Sequence, residues 1–125
     1  MIRATEIAFS AYPVTDMARA REFYEGVLGL KPTYLVGEPG GMQWTEYDIG
    51  SGTLSMGASP GWKPSSEGCC VALEVEEFDT AIQHLKDRQV RFKMDPFPTP
   101  VCRMAFIYDP DGNVLCIHKR NSHPH

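Results

Sequence analysis

The chain carries an internal repeat with a spacing of 61 residues. Positions that align under this shift lie at both ends of the repeated unit: Phe9 with Cys70, Val14 with Val75, Tyr47 with Tyr108, and Leu54 with Leu115. Because the two ends share one offset, a chance alignment of two apolar runs does not explain the pattern. Repeats of this kind are typical of a duplicated supersecondary unit whose copies pack together. The sequence therefore predicts two copies of one unit with a ligand site between them.

Composition limits the classes of function. The chain has 125 residues, a net charge of −4 and 42% hydrophobic residues, which is typical of one globular domain. Phosphate binding needs a clustered basic face, and the only concentrated basic stretch is Lys119-Arg120. No apolar run reaches the ~18–20 residues of a membrane span, and the first residues lack a secretory-signal pattern. We therefore expect a cytoplasmic protein with no nucleic-acid partner and no membrane partner.

The first half of the chain has the order strand, helix, three strands. The predicted elements are a strand at Thr5–Val14, a helix capped by Thr15 or Asp16, and strands at Lys31–Val36, Met42–Ile49 and Thr53–Ala58. Gly29 stands where a helix end favours left-handed backbone. Residues 59–67, which are rich in Pro, Gly and Ser, are predicted to form the linker between the two repeats.

The second half repeats this order. The predicted strands are Cys69–Val75, Val90–Met94, Val101–Tyr108 and Val114–Lys119, with a helix around Phe78 to Leu85. Prolines in residues 95–100 favour a rigid loop. The expected architecture is a single α+β domain, residues 1–125, made of two βαβββ repeats at about 4–58 and 68–119. Their curved mixed sheets are expected to surround a concave cavity, with the helices outside.

Three motifs resemble the vicinal oxygen chelate superfamily, which includes glyoxalase I, extradiol dioxygenases, and bleomycin- and fosfomycin-resistance proteins. Phe23–Leu30 reads FYEGVLGL and resembles the family's FYxxxLGL helix end. Pro13–Asp16 is similar to its entry into the first helix, and Asp109–Asn113 (DPDGN) to its last hairpin. The resemblance covers nearly the whole chain. It implies the paired βαβββ fold and, because many members are dimeric, a homodimer.

The resemblance also implies where a metal would bind. Metal enzymes of the family take one ligand from the first and one from the last strand of each repeat, usually histidines and carboxylates. Carried over residue by residue, these positions are Phe9, Ser55, Cys70 and Cys116, and all four depart from the pattern. No histidine precedes His84, so the first repeat has no imidazole to offer. We therefore expect no metal and no other cofactor.

Other residues are candidates for lining the cavity. Phe9 and Trp44 offer aromatic surface, and the guanidinium of Arg103 suits a carboxylate or phosphate group. Trp62 on the linker is placed to cover the cavity mouth. The expected ligand-binding residues are Phe9, Trp44, Ser55, Cys70, Arg103, Cys116 and His118.

The thiols leave alternatives open. His118 lies two residues beyond Cys116 and points to the same side of a strand. With Cys70, these residues could bind a soft metal, form a disulfide or activate a thiol. Buried reduced thiols that fill the space of lost ligands are the simpler explanation.

These features favour a small organic ligand held in a metal-free cavity and sequestered without chemistry, as in the bleomycin-resistance proteins that the chain resembles. The alternative is a glyoxalase-like lyase or isomerase, or a dioxygenase, with a metal or thiol site rebuilt around Cys70, Cys116 and His118. The sequence assigns no catalytic residue.

Overall fold

A computed structural model describes residues 1–121 of the chain. The chain divides into two compact units, Met1–Pro64 and Ser65–His125, and the boundary falls inside the predicted linker 59–67. Residues 122–125, which belong to the predicted domain, lie outside the described residues. Within the described part, no helix is long and apolar enough to cross a membrane.

The N-terminal unit is a four-stranded mixed sheet with a helical segment packed on one face. Its elements are β1 (Ser10–Pro13), α1 (Met17–Arg21) with a π-helical continuation (Glu22–Val27), β2 (Tyr34–Gly37), β3 (Gln43–Ile49) and β4 (Gly52–Ala58). The strand order is β1-β4-β3-β2. β1 and β4 are parallel, and the other two pairs are antiparallel.

The C-terminal unit repeats the same arrangement. Its elements are β5 (Val71–Glu74), α2 (Phe78–Asp87), β6 (Phe92–Pro98), β7 (Cys102–Tyr108) and β8 (Val114–Arg120). The strand order is β5-β8-β7-β6, again with one parallel pair, β5 and β8. A shift of 61 residues places β1 on β5 residue for residue. The predicted α+β fold of two βαβββ repeats is confirmed.

The sequence signals at the two ends of the first helical segment are also confirmed. Asp16 is the N-cap of α1, and its Oδ1 accepts a hydrogen bond from the Arg19 backbone N–H at 3.1 Å. At the other end, the Leu28 N–H donates to the Phe23 carbonyl at 3.0 Å, which is the wider spacing of a π turn. Gly29 follows with φ 76°, so the chain leaves the helix through left-handed backbone.

The core of the N-terminal unit lies between this helical segment and one face of the sheet. The Thr45 hydroxyl donates to Met17 Sδ at 3.3 Å. Tyr47 stacks on Tyr24 with ring centroids 6.1 Å apart, and both rings are fully buried. Side chains alternate along β3, so Thr45 and Tyr47 fix which face of the sheet carries the helix.

Strand β1 is shorter than the predicted Thr5–Val14. Ser10 pairs with Leu54 and Pro13 with Gly57 in parallel register. β4 begins only at Gly52, directly after a turn, so residues much before Ser10 have no partner strand in this sheet. The hydropathy of residues 5–14 does not show where the partner strand β4 begins, and that limit sets the length of β1.

Strand β6 extends through a segment predicted to be a rigid loop. It runs to Pro98, and its pairing with β7 shifts register between Phe92 and Met94 and again between Met94 and Phe97. β6 is the outer strand of its sheet, where prolines and bulges are tolerated because one edge needs no partner.

The DPDGN segment forms the tight turn between β7 and β8. Asp109 is buried, and its Oδ1 accepts backbone N–H groups of Asp111 and Asn113, each at 2.9 Å. Its Oδ2 accepts the Asn113 side-chain amide at 3.0 Å. The carboxylate therefore holds the tight turn of this hairpin.

Candidate ligand-binding site

The face of the N-terminal sheet opposite the helix carries an aromatic cluster formed by Phe9, Trp44 and Trp62. Phe9 meets Trp44 edge to face, with ring centroids 5.3 Å apart. Trp62 is roughly parallel to Trp44 with centroids 6.5 Å apart. Phe9 is 48% exposed and Trp62 39% exposed, so the cluster presents aromatic surface to solvent. Exposed, preoriented aromatic rings are a surface on which flat ligands stack.

Register explains how strands β3 and β4 place these side chains. Trp44 pairs with Gly57, and Glu46 pairs with Ser55. These four residues alternate with the helix-facing ones, so they define what we call the helix-free face. The Trp44 Nε1–H donates to Glu46 Oε2 at 2.8 Å, which fixes the orientation of the indole.

Gly57 makes room for the two indoles. A Cβ at this position would lie 2.4 Å from Trp62 Cζ3 and 3.0 Å from Trp44 Cε3. The first distance is shorter than real side-chain contacts and the second is tighter than most, so the absence of a side chain at Gly57 lets both rings lie against the strand. Trp62 belongs to the segment after β4, and a backbone hydrogen bond from its N–H to the Ser59 carbonyl (3.2 Å) forms a turn there.

Ser55 is the buried polar residue of the helix-free face. Its relative exposure is 0%, and within residues 1–121 its Oγ has no hydrogen-bond partner. Its cross-strand neighbours are Ala11 on β1 and Glu46 on β3. An unsatisfied buried hydroxyl costs about 1–3 kcal/mol, so its presence needs a reason.

Surface depressions of residues 1–121 include one along α2 and one beside α1. One of about 430 Å³ lies along α2 and is lined only by polar residues of that single helix, from Asp79 to Asp87. A ligand there would contact one convex surface, so we do not assign it as a binding site. The other, of about 140 Å³, lies where α1 approaches β2 and β3 and has Trp44, Leu35 and Val36 in its lining.

In the C-terminal unit, Cys116 lies within electrostatic range of two other cysteines, Cys70 and Cys102. Cys116 on β8 pairs with Ala72 on β5, and the exposed Cys70 lies two residues before Ala72. Burial, with smaller contributions from Cys70 and Cys102, raises the pKa of the Cys116 thiol to about 11. Cys116 is therefore a protonated thiol at neutral pH, which is the wrong state for a nucleophile.

His118 is held by a carboxylate. Its Nδ1 lies 2.6 Å from Glu74 Oε1, and the Arg120 backbone N–H donates to Glu74 Oε2 at 2.9 Å. Burial works against ionisation of Glu74, but the hydrogen bonds from Arg120 and His118 outweigh it and lower the pKa of that carboxyl. These contacts join β5 to β8.

The donor set does not fit a metal centre. Among residues 1–121, no group of three or more His, Cys, Asp or Glu side chains is arranged to hold a metal ion. Of the two family positions in the N-terminal unit, Phe9 has no lone pair and Ser55 offers only a neutral hydroxyl. Cys70, Cys116 and His118 therefore do not form a ready ligand set.

Arg103 lies on the other side of its sheet from the position expected. Its guanidinium is 4.5 Å from the ring centroid of Phe78 and pairs with the Asp79 carboxylate, both on α2. Arg103 thus packs on the helix-bearing face of β7, whereas Cys116 and His118 alternate onto the opposite face. This corrects its expected place in the cavity lining: a one-residue difference in facing moves a side chain across the sheet.

Sequence inspection missed three residues of these arrangements: Glu46, Gly57 and Glu74. Glu46 was visible as the residue two positions after Trp44 in a strand with period-two alternation. Gly57 interrupts a strand, which often marks a close approach of another group. Glu74 carried no local signal, because its contact with His118 spans 44 residues.

The duplicated βαβββ units define a class of α+β proteins in which one scaffold serves many ligands. The sequence profile of the Glyoxalase/Bleomycin resistance protein/Dioxygenase superfamily matches residues 6–117. The chain belongs to that superfamily. No curated protein sequence matches it significantly.

Solved structures show the same fold at low sequence identity. TnmS3, an antibiotic binding protein from Streptomyces sp. CB03234, is 22% identical with a TM-score of 0.76, over 97% of this chain and 100% of its own. The fosfomycin resistance protein FosX from Mesorhizobium loti is 16% identical with a TM-score of 0.71, over 93% and 92%. A glyoxalase family protein from Enterococcus faecalis is 23% identical with a TM-score of 0.67, over 90% and 96%.

Proposed function

We propose that this protein binds and sequesters a small organic molecule with a flat aromatic part, without a metal and without catalysis. The observation that carries the proposal is the cluster of Phe9, Trp44 and Trp62. Both tryptophans of the chain lie in it. A core aromatic is normally buried, whereas Phe9 and Trp62 remain more than a third exposed.

The surroundings of the cluster support binding of a ligand. Glu46 fixes the orientation of the Trp44 indole, and the absence of a side chain at Gly57 lets both indoles lie against the strand. Rings that are already oriented lose little conformational entropy when a ligand stacks on them. One structural neighbour is described as an antibiotic binding protein, which is consistent with this use of the fold.

The C-terminal unit gives less support to a rebuilt enzyme. A lyase or dioxygenase of the alternative kind needs either a metal ligand set or an ionised thiol. The protonated state of Cys116 and the pairing of His118 with Glu74 favour structural roles for both. Sequestration therefore explains more of the described contacts than catalysis does.

The proposal includes a cytoplasmic homodimer. β2 is an outer strand, and three consecutive apolar side chains on it, Tyr34, Leu35 and Val36, are all exposed. Open strand edges with exposed apolar residues pair readily with a second chain. All four cysteines are free thiols, as expected in a reducing compartment.

Tryptophan fluorescence provides the direct test. Because both tryptophans lie in the cluster, the intrinsic emission reports on this site. We expect saturable quenching by planar aromatic compounds, unchanged by a chelator. Phe9→Leu should weaken binding about three- to tenfold, since an aromatic pair contributes ~0.5–1.5 kcal/mol.

Phe92→Leu is the matched control, because Phe92 pairs with Ile107 and packs under Lys86 in the C-terminal unit. It should leave the affinity unchanged. An aromatic library that produces no saturable quenching, or turnover of a glyoxalase or dioxygenase substrate that a chelator abolishes, would overturn the proposal.

A further inference from the structure

We propose that the ligand carries a hydrogen-bond donor, such as an amino or amide N–H group, which binds between Ser55 and Glu46 while its aromatic part stacks on the cluster. This inference rests on the proposed function and names the chemical class of the ligand. It is argued from two polar groups on adjacent strands of the helix-free face: the buried hydroxyl of Ser55 and the carboxylate of Glu46.

Ser55 supplies the first polar atom. Its Oγ is fully buried, and no atom of residues 1–121 forms a hydrogen bond with it. Buried hydroxyls in folded proteins nearly always have a partner, whether protein, water or ligand. The β1 neighbour, Ala11, has no polar side chain. A hydrogen-bond partner for this hydroxyl is therefore best supplied by a group from outside the sheet.

Glu46 supplies the second polar atom and the selectivity. It is the cross-strand partner of Ser55, and directly opposed side chains on one face lie about 4.5–5.5 Å apart at Cβ. Glu46 Oε2 accepts the Trp44 indole N–H, and that is the one hydrogen bond of this carboxylate within residues 1–121. Oε1 is thus available to accept from a ligand, and a carboxylate accepts but does not donate.

The negative charge of the helix-free face disfavours ligands that carry an anionic group. The side chains that β1 to β4 place on the helix-free face are Ala11, Pro13, Tyr34, Val36, Trp44, Glu46, Asp48, Thr53, Ser55 and Gly57. These strand residues include two carboxylates and no Lys, Arg or His. A carboxylate or phosphate on the ligand would be repelled, whereas an ammonium or neutral N–H group is attracted. Arg103, the cation predicted to meet an anion, pairs instead with Asp79.

Access to Ser55 requires that a covering group moves. Trp62 lies over Gly57, two residues along β4 from Ser55, and follows the end of that strand. No strand pairing holds it. In this proposal Trp62 moves away from Gly57 as the ligand enters, which would change the tryptophan emission.

The test compares two flat probes of the same shape: 9-aminoacridine, whose protonated ring carries an N–H₂ donor, and acridine-9-carboxylate. Calorimetric titration of the full chain should show 9-aminoacridine bound at least about tenfold more tightly. Ser55→Ala should weaken 9-aminoacridine about three- to tenfold. Glu46→Gln keeps an acceptor for the Trp44 indole and should reduce the preference for the amine over the carboxylate.

Ser10→Ala is the control, because Ser10 pairs with Leu54, alternates onto the helix-bearing face and is exposed. It should not alter affinity. Ser55→Ala should also leave the melting temperature of the unliganded protein unchanged or raise it, because it removes an unsatisfied hydroxyl. A lowered melting temperature would assign Ser55 a structural partner and overturn the inference.

Two further outcomes separate this inference from the proposed function. If acridine-9-carboxylate binds as tightly as the amine, or Ser55→Ala has no effect while Phe9→Leu does, the donor-group inference is wrong and aromatic sequestration stands. If neither acridine binds and no other planar aromatic does, both are wrong.

Discussion

The edge of the Trp62 indole occupies the space that a side chain on Gly57 would need, with 2.4 Å between Trp62 Cζ3 and the position of a Cβ at residue 57. The same Cβ would lie 3.0 Å from Trp44 Cε3. One glycine thus lets two tryptophans, one from a strand and one from the following segment, lie together on the helix-free face.

Gly57→Ala should separate the two indoles. The added methyl cannot remain 2.4 Å from Trp62, and the outer part of that side chain is the group most able to move. We expect a red-shifted tryptophan emission and a weaker near-ultraviolet circular dichroism signal, with weaker binding of flat ligands. The free energy of unfolding should change by less than about 1 kcal/mol, because alanine adopts the strand backbone of Gly57 as readily as glycine does.

Gly68→Ala is the control for this change, since nothing lies within 4 Å of a Cβ there and the residue is outside the strands. It should leave emission and circular dichroism as in the parent protein. Identical spectra for Gly57→Ala would show that Trp62 does not rest on Gly57 in solution.

The elements set by local sequence were predictable. The cap at Asp16 and the left-handed Gly29 depend on residues within one helical turn, so nothing distant changes them. The repeat predicted β5 from β1, because both copies obey the same pairing rules. The Asp109 turn likewise depends on residues two to four positions away.

Features set by register and by distant contacts were not predictable to the same degree. The facing of Arg103 depends on where β7 begins its alternation, and one residue of uncertainty reverses it. The unsatisfied state of Ser55 depends on what β1 and β3 place beside it. The Glu74–His118 contact needs the parallel pairing of β5 with β8, which no local pattern encodes.

Glu74→Gln should reduce stability in a pH-dependent way. Hydrogen bonds from Arg120 and His118 lower the pKa of Glu74 below its ordinary value of 4.5. A depressed carboxyl pKa stabilises the fold above the unfolded pKa, and this stability is lost as pH falls through the folded pKa. The difference in unfolding free energy between parent and variant should therefore be present at pH 7 and shrink below pH ~4.5.

The size of that effect should stay below about 1 kcal/mol, because the Glu74 side chain is 36% exposed and solvent screens its charge. Urea unfolding at several pH values measures it. Glu76→Gln, which replaces an exposed carboxylate on the segment before α2, is the control and should leave the free energy of unfolding at pH 7 close to that of the parent protein. An equal difference for Glu74→Gln at pH 3 and pH 7 would contradict the linkage.

The four thiols should divide into two reactivity classes. Cys69 and Cys70 are exposed, whereas Cys102 and Cys116 are buried. The raised pKa of Cys116, about 11, leaves almost no thiolate at pH 7.5. Iodoacetamide followed by mass spectrometry should label the exposed pair in the folded protein and all four in denaturant. Rapid native labelling of Cys116 would instead support the thiol-chemistry alternative.

Removal of metal should leave binding unchanged. We expect protein purified without a metal-affinity step to contain no stoichiometric zinc or iron by elemental mass spectrometry, because the four family positions are Phe9, Ser55, Cys70 and Cys116. A chelator should shift neither ligand affinity nor melting temperature. A stoichiometric ion whose removal abolishes binding would make Cys70, Cys116 and His118 the first residues to replace.

A charge on the outer strand of the N-terminal sheet should weaken the proposed homodimer. Leu35 is 51% exposed in the middle of β2, between the exposed Tyr34 and Val36. Burying a carboxylate there without a partner is costly, so Leu35→Glu should raise the dimer dissociation constant at least about tenfold. Light scattering across a concentration series measures this. Ile49→Glu, at the end of β3 and 38% exposed, is the matched control and should leave association unchanged. A parent protein that remains monomeric at all concentrations would contradict the homodimer, and equal weakening by both variants would place the interface elsewhere than β2.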